Sequence, residues 1–263
     1  MTAPDGSTCG RVGTLHPVEH MALERVDSTN AEATRLATAG GRGPLWITAV
    51  AQTAGRGRAG RGWSMPAGNL AATYLSAPAL PPAKAAQCGF VAALAVGHVL
   101  EALCPHTPWQ VKWPNDVLLG GRKVAGILLE TSGAGAARID WLAIGIGLNL
   151  IAAPPPEALR PGGWPATSIA AEGGDGSDRE RALDLLADGV ALFMARLLDH
   201  GFGPVRRAWL AHAHALGDTV SAQDGRIRRQ GIFADMDADG CLVLDGADGR
   251  RHRIAAGDVH FPE

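Results

Sequence analysis

The chain has 263 residues, room for one large domain or for a medium one and a small one, and enough to bury a substantial core. A formal charge of −2 implies no bulk attraction to nucleic acid or to an anionic membrane. No apolar run reads as reaching the roughly 18 residues of a membrane span, and Cys9, Cys88, Cys104 and Cys241 are scattered without a C-x-x-C pair, which argues against a zinc site and against a disulfide framework.

The first residues carry Pro4, Asp5, Gly6, His16 and Pro17 and lack the apolar centre of a secretory signal. Residues 1–21 are therefore expected to be a flexible leader, and the compartment a reducing, cytoplasmic one. Ala22 to Val26 reads as a short strand, and Asp27-Ser28-Thr29-Asn30 opens a helix. Thr29 with Glu32 has the spacing of a capping box, and Gly40-Gly41 supplies the stop. Ser28, Thr29 and Asn30 read first as a helix cap, a reading compatible with hydroxyl and amide groups that face a pocket.

Leu45 to Ala51 suits a buried strand. It runs into Gln52 and a glycine–arginine stretch, in which Gly55, Gly57, Gly60 and Gly62 alternate with Arg56, Arg58 and Arg61. Glycines let a backbone approach a ligand closely, and arginines bring forked donors suited to phosphate or carboxylate. A mobile cationic cover for an anionic ligand and a solvated basic surface loop both fit this composition. Gly55-x-Gly57-x-x-Gly60 matches a dinucleotide fingerprint, but Trp63-Ser64-Met65-Pro66 is a poor helix start and no acidic residue occurs from 58 to 100. A Walker loop is excluded by the absence of Gly-Lys-Ser/Thr.

Leu70 to Ser76 reads as a strand, and Ala83 to Leu103 as one long buried helix. Lys112-Trp113-Pro114-Asn115-Asp116 follows; Pro114 favours an extended Trp113, and Asn115-Asp116 a turn. Gly120-Gly121 suggests a hairpin into the strand that begins at Lys123 and contains Gly126. After a second glycine-containing gap, Ile139 to Leu150 reads as a strand in which Gly145 and Gly147 share one face. Their missing side chains make room either for a ligand or for tight packing. Residues 179–199 read as a core helix and 204–215 as a shorter one. Beyond Gly217, short strand-like pieces alternate with turns such as Asp224-Gly225, Asp239-Gly240 and Asp248-Gly249, the pattern of a small β-barrel.

Five stretches, in this order and spacing, resemble the biotin–protein ligases: Asp27-Ser28-Thr29-Asn30, Gln52 with the Gly55–Arg61 loop, Lys112–Asp116, Lys123-Val124-Ala125-Gly126, and Gly145-Ile146-Gly147-Leu148-Asn149. The resemblance spans roughly residues 22–261. It implies an α/β (α+β) catalytic domain of class II aminoacyl-tRNA synthetase type over residues 22–216, and a small SH3-like β-barrel over residues 217–263. It also implies a two-step reaction, in which biotin and ATP give biotinoyl-5′-AMP and the acyl group passes to one lysine of a biotin carboxyl carrier protein, with Mg²⁺ carried on ATP.

By the same resemblance, Ser28, Thr29, Asn30 and Gln52 frame the ureido ring of biotin. Gly55, Arg56, Gly57 and Arg58 cover it, and Gly126, Gly145 and Gly147 clear the strand face. Lys123 stands near the biotin carboxylate and the α-phosphate. Arg58, Arg61, Lys112, Asn115, Lys123, Asn149 and Trp164 belong to the ATP side, with Trp164 a candidate to stack on adenine. Lys123, Arg58, Lys112 and Asp116 are the catalytic candidates. The chemistry asks for positioning and positive charge rather than a protein nucleophile. Ala59 departs from relatives that carry a further basic residue there, which lowers loop charge by one. Residues 1–21 fall short of a helix-turn-helix, so no DNA binding is expected. No membrane association is expected, and a homodimer stays open. A lipoate or octanoyl ligase of the same fold, a non-catalytic biotin sensor and a nucleotide-binding oxidoreductase are the competing readings.

Overall fold

The protein is described by a computed structural model over residues 7–132, 137–159, 163–224, 227–255 and 257–260. The expected turn at Asp224-Gly225 and most of the glycine-containing gap after Glu130 lie outside the described residues. The main body is an eight-stranded sheet built from β1 (Ser7–Val12), β2 (Val18–Val26), β3 (Leu45–Gln52), β4 (Leu70–Ser76), β5 (Trp109–Lys112), β6 (Asp116–Leu119), β7 (Arg122–Thr131) and β8 (Leu142–Leu148). Its order is β1-β2-β3-β4-β8-β7-β6-β5. Only β2 and β3 pair in parallel, with α1 (Thr29–Thr38) lying between them in sequence; the other pairs are antiparallel.

The period-two alternation of the central strands explains the layers. On β8, Leu142, Ile144, Ile146 and Leu148 join the larger core cluster, with α3 (Cys88–Leu103) and α4 (Arg179–His200). Ala143 points the other way, into a smaller cluster with Ile47, Ala49 and the α1 residues Ala33 and Ala37. Gly145 and Gly147 share the parity of Ala143, so they lie on the face that α1 covers only in part. The uncovered remainder of that face is the floor of the site.

Three sequence expectations are corrected here. The flexible leader does not extend to residue 21, because β1 pairs with β2 from Ser7↔Leu23 to Val12↔Val18. The turn between them is held from α4: the backbone N–H of Gly13 donates to Asp184 at 2.8 Å, and those of Thr14 and Leu15 donate to Asp188 at 2.8 and 2.9 Å. The single helix expected from Ala83 is instead a short turn, α2 (Pro82–Ala85), followed by α3. The span Pro82–Leu103 is also long and apolar enough to cross a membrane by length and composition, contrary to the reading of the bare sequence, although most of it is buried inside the fold.

After α5 (Phe202–Ala211), residues 212–214 run beside β5 through the bridge Val111↔Ala213. A second antiparallel sheet follows, built from β9 (Thr219–Asp224), β10 (Ile227–Met236), β11 (Leu242–Gly246), β12 (Arg251–Ile254) and β13 (Asp258–His260), in the order β12-β11-β10-β9-β13. Its outer strands β12 and β13 do not pair with each other, so among the described residues it is an open five-stranded sheet rather than a closed ring.

Candidate functional site

A cavity of about 1170 Å³ opens over the glycine floor. Every residue nominated from the sequence lines it: Ser28, Thr29, Asn30, Gln52, Gly55, Arg56, Gly57, Arg58, Arg61, Lys112, Asn115, Asp116, Lys123, Gly126, Gly145, Gly147, Asn149 and Trp164. They come from the start of α1, the loop after β3, the β5–β6 turn, the β6–β7 hairpin, the end of β8 and the segment near 164.

One end of the cavity is polar but uncharged. The expected capping box is absent, because Ser28 occupies the N-cap position without a side-chain bond. Thr29 instead turns its backbone N–H (2.8 Å) and its hydroxyl (3.2 Å) to Gln52 Oε1. Thr73 on β4, fully buried, donates to Asn30 Oδ1 at 2.7 Å, and the Asn30 amide donates to Glu130 Oε2 at 2.8 Å. Ser28, Thr29 and Asn30 are all buried, and Thr29 and Asn30 are locked from behind, as helix-start groups and cavity wall together.

Asp27, just outside, is held down to about 2, first by the hydrogen bond from Arg35. It accepts two bonds from that guanidinium, at 2.8 and 3.0 Å, and caps the Ser28 N–H at 2.8 Å. These contacts fix the entry to α1 by charge from outside the cavity.

The glycines meet side chains. A Cβ on Gly145 would stand 2.0 Å from Asn30 Oδ1, and one on Gly147 would stand 2.3 Å from the Trp63 indole. Gly126, the register partner of Gly147, faces the same indole at 2.9 Å. The packing reading of these positions therefore holds, and what packs there is the cavity wall itself.

The glycine–arginine loop is a tight hairpin. Arg56 bridges Gly62, the Trp63 N–H donates to Gly55 O at 2.8 Å, and Gly57 N donates to Arg61 O at 2.6 Å. Ala59 and Gly60 turn it with φ of 54° and 71°. No helix of dinucleotide-binding kind follows. Arg56 reaches Glu130 at 3.5 Å, and Arg58 Nη1 donates to Asn115 Oδ1 at 3.2 Å. The loop is therefore fastened to both walls.

The other end is cationic. Lys123 Nζ lies 2.6 Å from Asp116 Oδ1 and 5.5 Å from the centre of the Trp63 ring. Lys112, largely buried, places Nζ 5.5 Å over the Trp164 ring. Trp164 is set by its indole N–H on Gly121 O, 2.9 Å, and by the backbone of Lys123, whose N–H donates to Pro165 O at 2.7 Å. His214 meets the Trp164 ring edge-on at 5.2 Å; burial, then the charge of Lys112, lowers its imidazole below the ordinary value. The side chain of Asn149 is committed, donating to Thr167 O at 2.9 Å and lying 3.4 Å from the Asn69 amide nitrogen.

Residues 22–149 match the model of the biotin/lipoate A/B protein ligase family. The chain is 48% identical over 240 residues to a biotin–[acetyl-CoA-carboxylase] ligase of Paracoccus denitrificans, covering 91% of this chain and 99% of that one. The chain belongs to the biotin–protein ligases. A second relative of that name, from Mycobacterium tuberculosis, is 33% identical over 247 residues, covering 90% of this chain and 86% of that one. Among solved structures, a biotin protein ligase from Aquifex aeolicus in complex with biotin and ATP superposes with a TM-score of 0.75 at 27% identity, covering 92% of this chain and 97% of that one.

For a biotin–protein ligase the sequence reading missed five residues of this region. Trp63 closes the loop and lies on the glycines; in the sequence it stands directly after the loop motif and signals only a poor helix start. Thr73, Asn69 and Glu130 support the polar wall and Asn149 from strands or loops that carry no motif. Val259 on β13 reaches the cavity from the second sheet. Nothing local in the sequence marks it.

Proposed function

We propose that this chain activates biotin with ATP as biotinoyl-5′-AMP and transfers the acyl group to a lysine of a biotin carboxyl carrier protein or domain. The observation that carries this reading is the polarity of the cavity over the glycine floor. A neutral hydrogen-bonding end suits a ureido ring, and a cationic end suits a carboxylate meeting a triphosphate. In this reading Thr29, Asn30 and Gln52 face the ureido group, with Ser28 beside them. Arg56, Gly55 and Gly57 cover biotin, and Trp63 must yield or slide where biotin rests on Gly126 and Gly147.

Arg58, Arg61, Lys112 and Lys123 hold the phosphates and offset the charge that builds at the α-phosphorus. Asn115 belongs to the same phosphate-facing turn. Trp164 offers a face to adenine. Asn149, its side chain engaged, fixes the loop behind the adenylate rather than bonding it. Mg²⁺ enters on ATP as part of the substrate. In the second step Asp116, 2.6 Å from Lys123, is the acceptor or orienter for the incoming lysine.

The remaining expectations form part of the same proposal. The catalytic unit spans residues 22–216, to which the β1–β2 hairpin is added, and has the class II synthetase-like fold. Residues 217–263 form an SH3-like unit. The protein works in the cytoplasm without DNA or a membrane, as a monomer or a homodimer.

The test is mass spectrometry of a biotin carboxyl carrier domain incubated with the protein, biotin and Mg·ATP. One biotinyl addition that requires ATP supports the reading. No addition together with no biotin-dependent pyrophosphate exchange rejects it, and lipoate in the same assay then distinguishes a related acyl ligase.

A further inference from the structure

The turn between β5 and β6 presents Lys112, Pro114, Asn115 and Asp116 to the cavity. Trp113 points the other way and is buried at 3% exposure. Its indole N–H crosses to the second sheet and donates to Gly240 O at 3.0 Å. Gly240 lies in the turn between β10 and β11 with φ of +89°, and a Cβ there would stand 2.5 Å from the Phe90 ring of α3. The same turn is tied a second time, by the fully buried Gln87, whose amide donates to Ala238 O at 3.0 Å. The second sheet is therefore bolted behind the phosphate-facing turn, while its Val259 lines the cavity in front.

We propose that Trp113 is a positioning residue that links the seating of the second sheet to the nucleotide end of the site. A buried indole N–H is directional, and its acceptor belongs to a turn that is shaped inside the second sheet, where the Gly240 N–H donates to Asp237 O at 3.1 Å and the Cys241 N–H to Asp237 Oδ1 at 2.9 Å, so the indole reads the placement of the sheet as a body. Seating of the sheet on Gln87, Phe90 and Trp113 sets the position of Lys112 and Asn115, and through them the affinity for ATP. Biotin, held at the far end by α1 and Gln52, is outside this linkage. The inference rests on reading Lys112–Asp116 as the phosphate-facing segment.

The test follows biotin-dependent ATP–pyrophosphate exchange in two variants. Trp113→Phe keeps the aromatic bulk and removes the donor. Gln87→Leu loosens the same turn from α3 and touches no residue of the nucleotide segment. Each is expected to raise KM for ATP by about fivefold or more, with kcat at saturating ATP within about twofold and the biotin Kd, by calorimetry, unmoved. The double variant should be no worse than the worse single one, because both act through the seating of one turn.

An unchanged KM for ATP with a lowered Tm would make the contact merely structural and overturn the proposal, as would equal weakening toward biotin. Should Trp113→Phe fail to fold, Gln87→Leu decides by itself. Lys112→Met is run beside them. If it leaves KM for ATP unchanged, the reading of the segment fails. If it raises KM while the two linked variants match the parent, only the linkage fails.

Discussion

Trp63 occupies the space above Gly147: a Cβ on that glycine would stand 2.3 Å from the indole, and one on the neighbouring Gly126 would stand 2.9 Å from it. The residue that follows the cationic loop is thereby the residue that rests on the floor of the cavity. Loop position and floor occupancy are set together, since the Trp63 N–H also closes the loop on Gly55 O at 2.8 Å.

Gly147→Ala should displace the indole and lift the loop with it. Overpacking of this kind typically costs about 1–3 kcal/mol. Biotin Kd measured by calorimetry should rise about tenfold or more, which corresponds to about 1.4 kcal/mol, with Tm lowered in parallel. Unaltered biotin affinity would mean that Trp63 and the loop adjust without consequence for the ligand.

Glu130 accepts from Asn30 at 2.8 Å on one oxygen and faces Arg56 at 3.5 Å with the other. Glu130→Gln keeps an acceptor oxygen for Asn30 and removes the charge facing Arg56. The lost ion pair is partly exposed and should be worth no more than about 1 kcal/mol. The expected outcome is a dissociation rate of biotin raised by up to about fivefold with Tm little changed, and a parent rate that salt brings toward that of the variant. Stopped-flow measurement at two ionic strengths checks both parts.

How far the site could be read from the sequence depended on where its chemistry sits along the chain. The loop, the Lys112–Asp116 turn and the paired glycines are contiguous runs of unusual residues, and the structure gathers all of them around one cavity. Thr73 and Glu130 lie in strands of ordinary composition, and their partners are 43 and 100 residues away in the chain. Such contacts are created by the sheet order, which local pattern does not encode. The β1–β2 hairpin was illegible for the same reason. In residues 7–12 only Val12 is buried, Ser7 is half-buried and the four between are exposed, so no alternation shows, and their turn is fixed by aspartates of α4. The capping box failed because a closer partner, Gln52, takes the Thr29 N–H.

The clasp on that hairpin can be broken selectively. Asp188, at 6% exposure, accepts from the backbone N–H groups of Thr14 and Leu15 and from the Thr14 hydroxyl. Asp188→Ala leaves those donors without their acceptor, at a cost of about 1–3 kcal/mol. Lower Tm and faster proteolysis near residue 14 are expected, with biotin affinity retained, because the clasp lies outside the cavity. Parent-like proteolysis would show that β1 is held by its pairing with β2 alone.

Two histidines should make stability fall on mild acidification. Burial first, then Arg179, lowers the His20 imidazole against the opposing charges of Asp184 and Glu180. Burial first, then Lys112, lowers that of His214 against Asp218. A histidine whose folded pKa lies below its unfolded 6.5 binds fewer protons when folded. Its stabilising contribution is complete above pH 6.5 and is lost as pH falls from there toward the folded pKa. Tm should therefore drop between pH 7.5 and 5.5, and less so in a His20→Gln, His214→Gln double variant. An equal drop in the variant would assign the loss to other groups.

Arg58 joins the loop to the opposite wall through Asn115 Oδ1, 3.2 Å away, while its own carbonyl holds Arg61, whose Nε donates to it at 2.8 Å. An acyl-adenylate is a reactive mixed anhydride, and a closed cationic loop keeps it from water and from stray amines. Arg58→Gly removes the reach to Asn115 and one positive charge of the loop, yet leaves the carbonyl of residue 58 that organises the hairpin. The variant should still form biotinoyl-AMP but release it about tenfold faster or more, and should label lysines of unrelated proteins added to the reaction. Streptavidin blotting of bovine serum albumin incubated with the variant, biotin and ATP reads this directly. Labelling confined to the carrier domain, with adenylate retained as in the parent, would assign retention to another part of the loop, with Arg56 and Trp63 next in line because each binds the loop to a different wall.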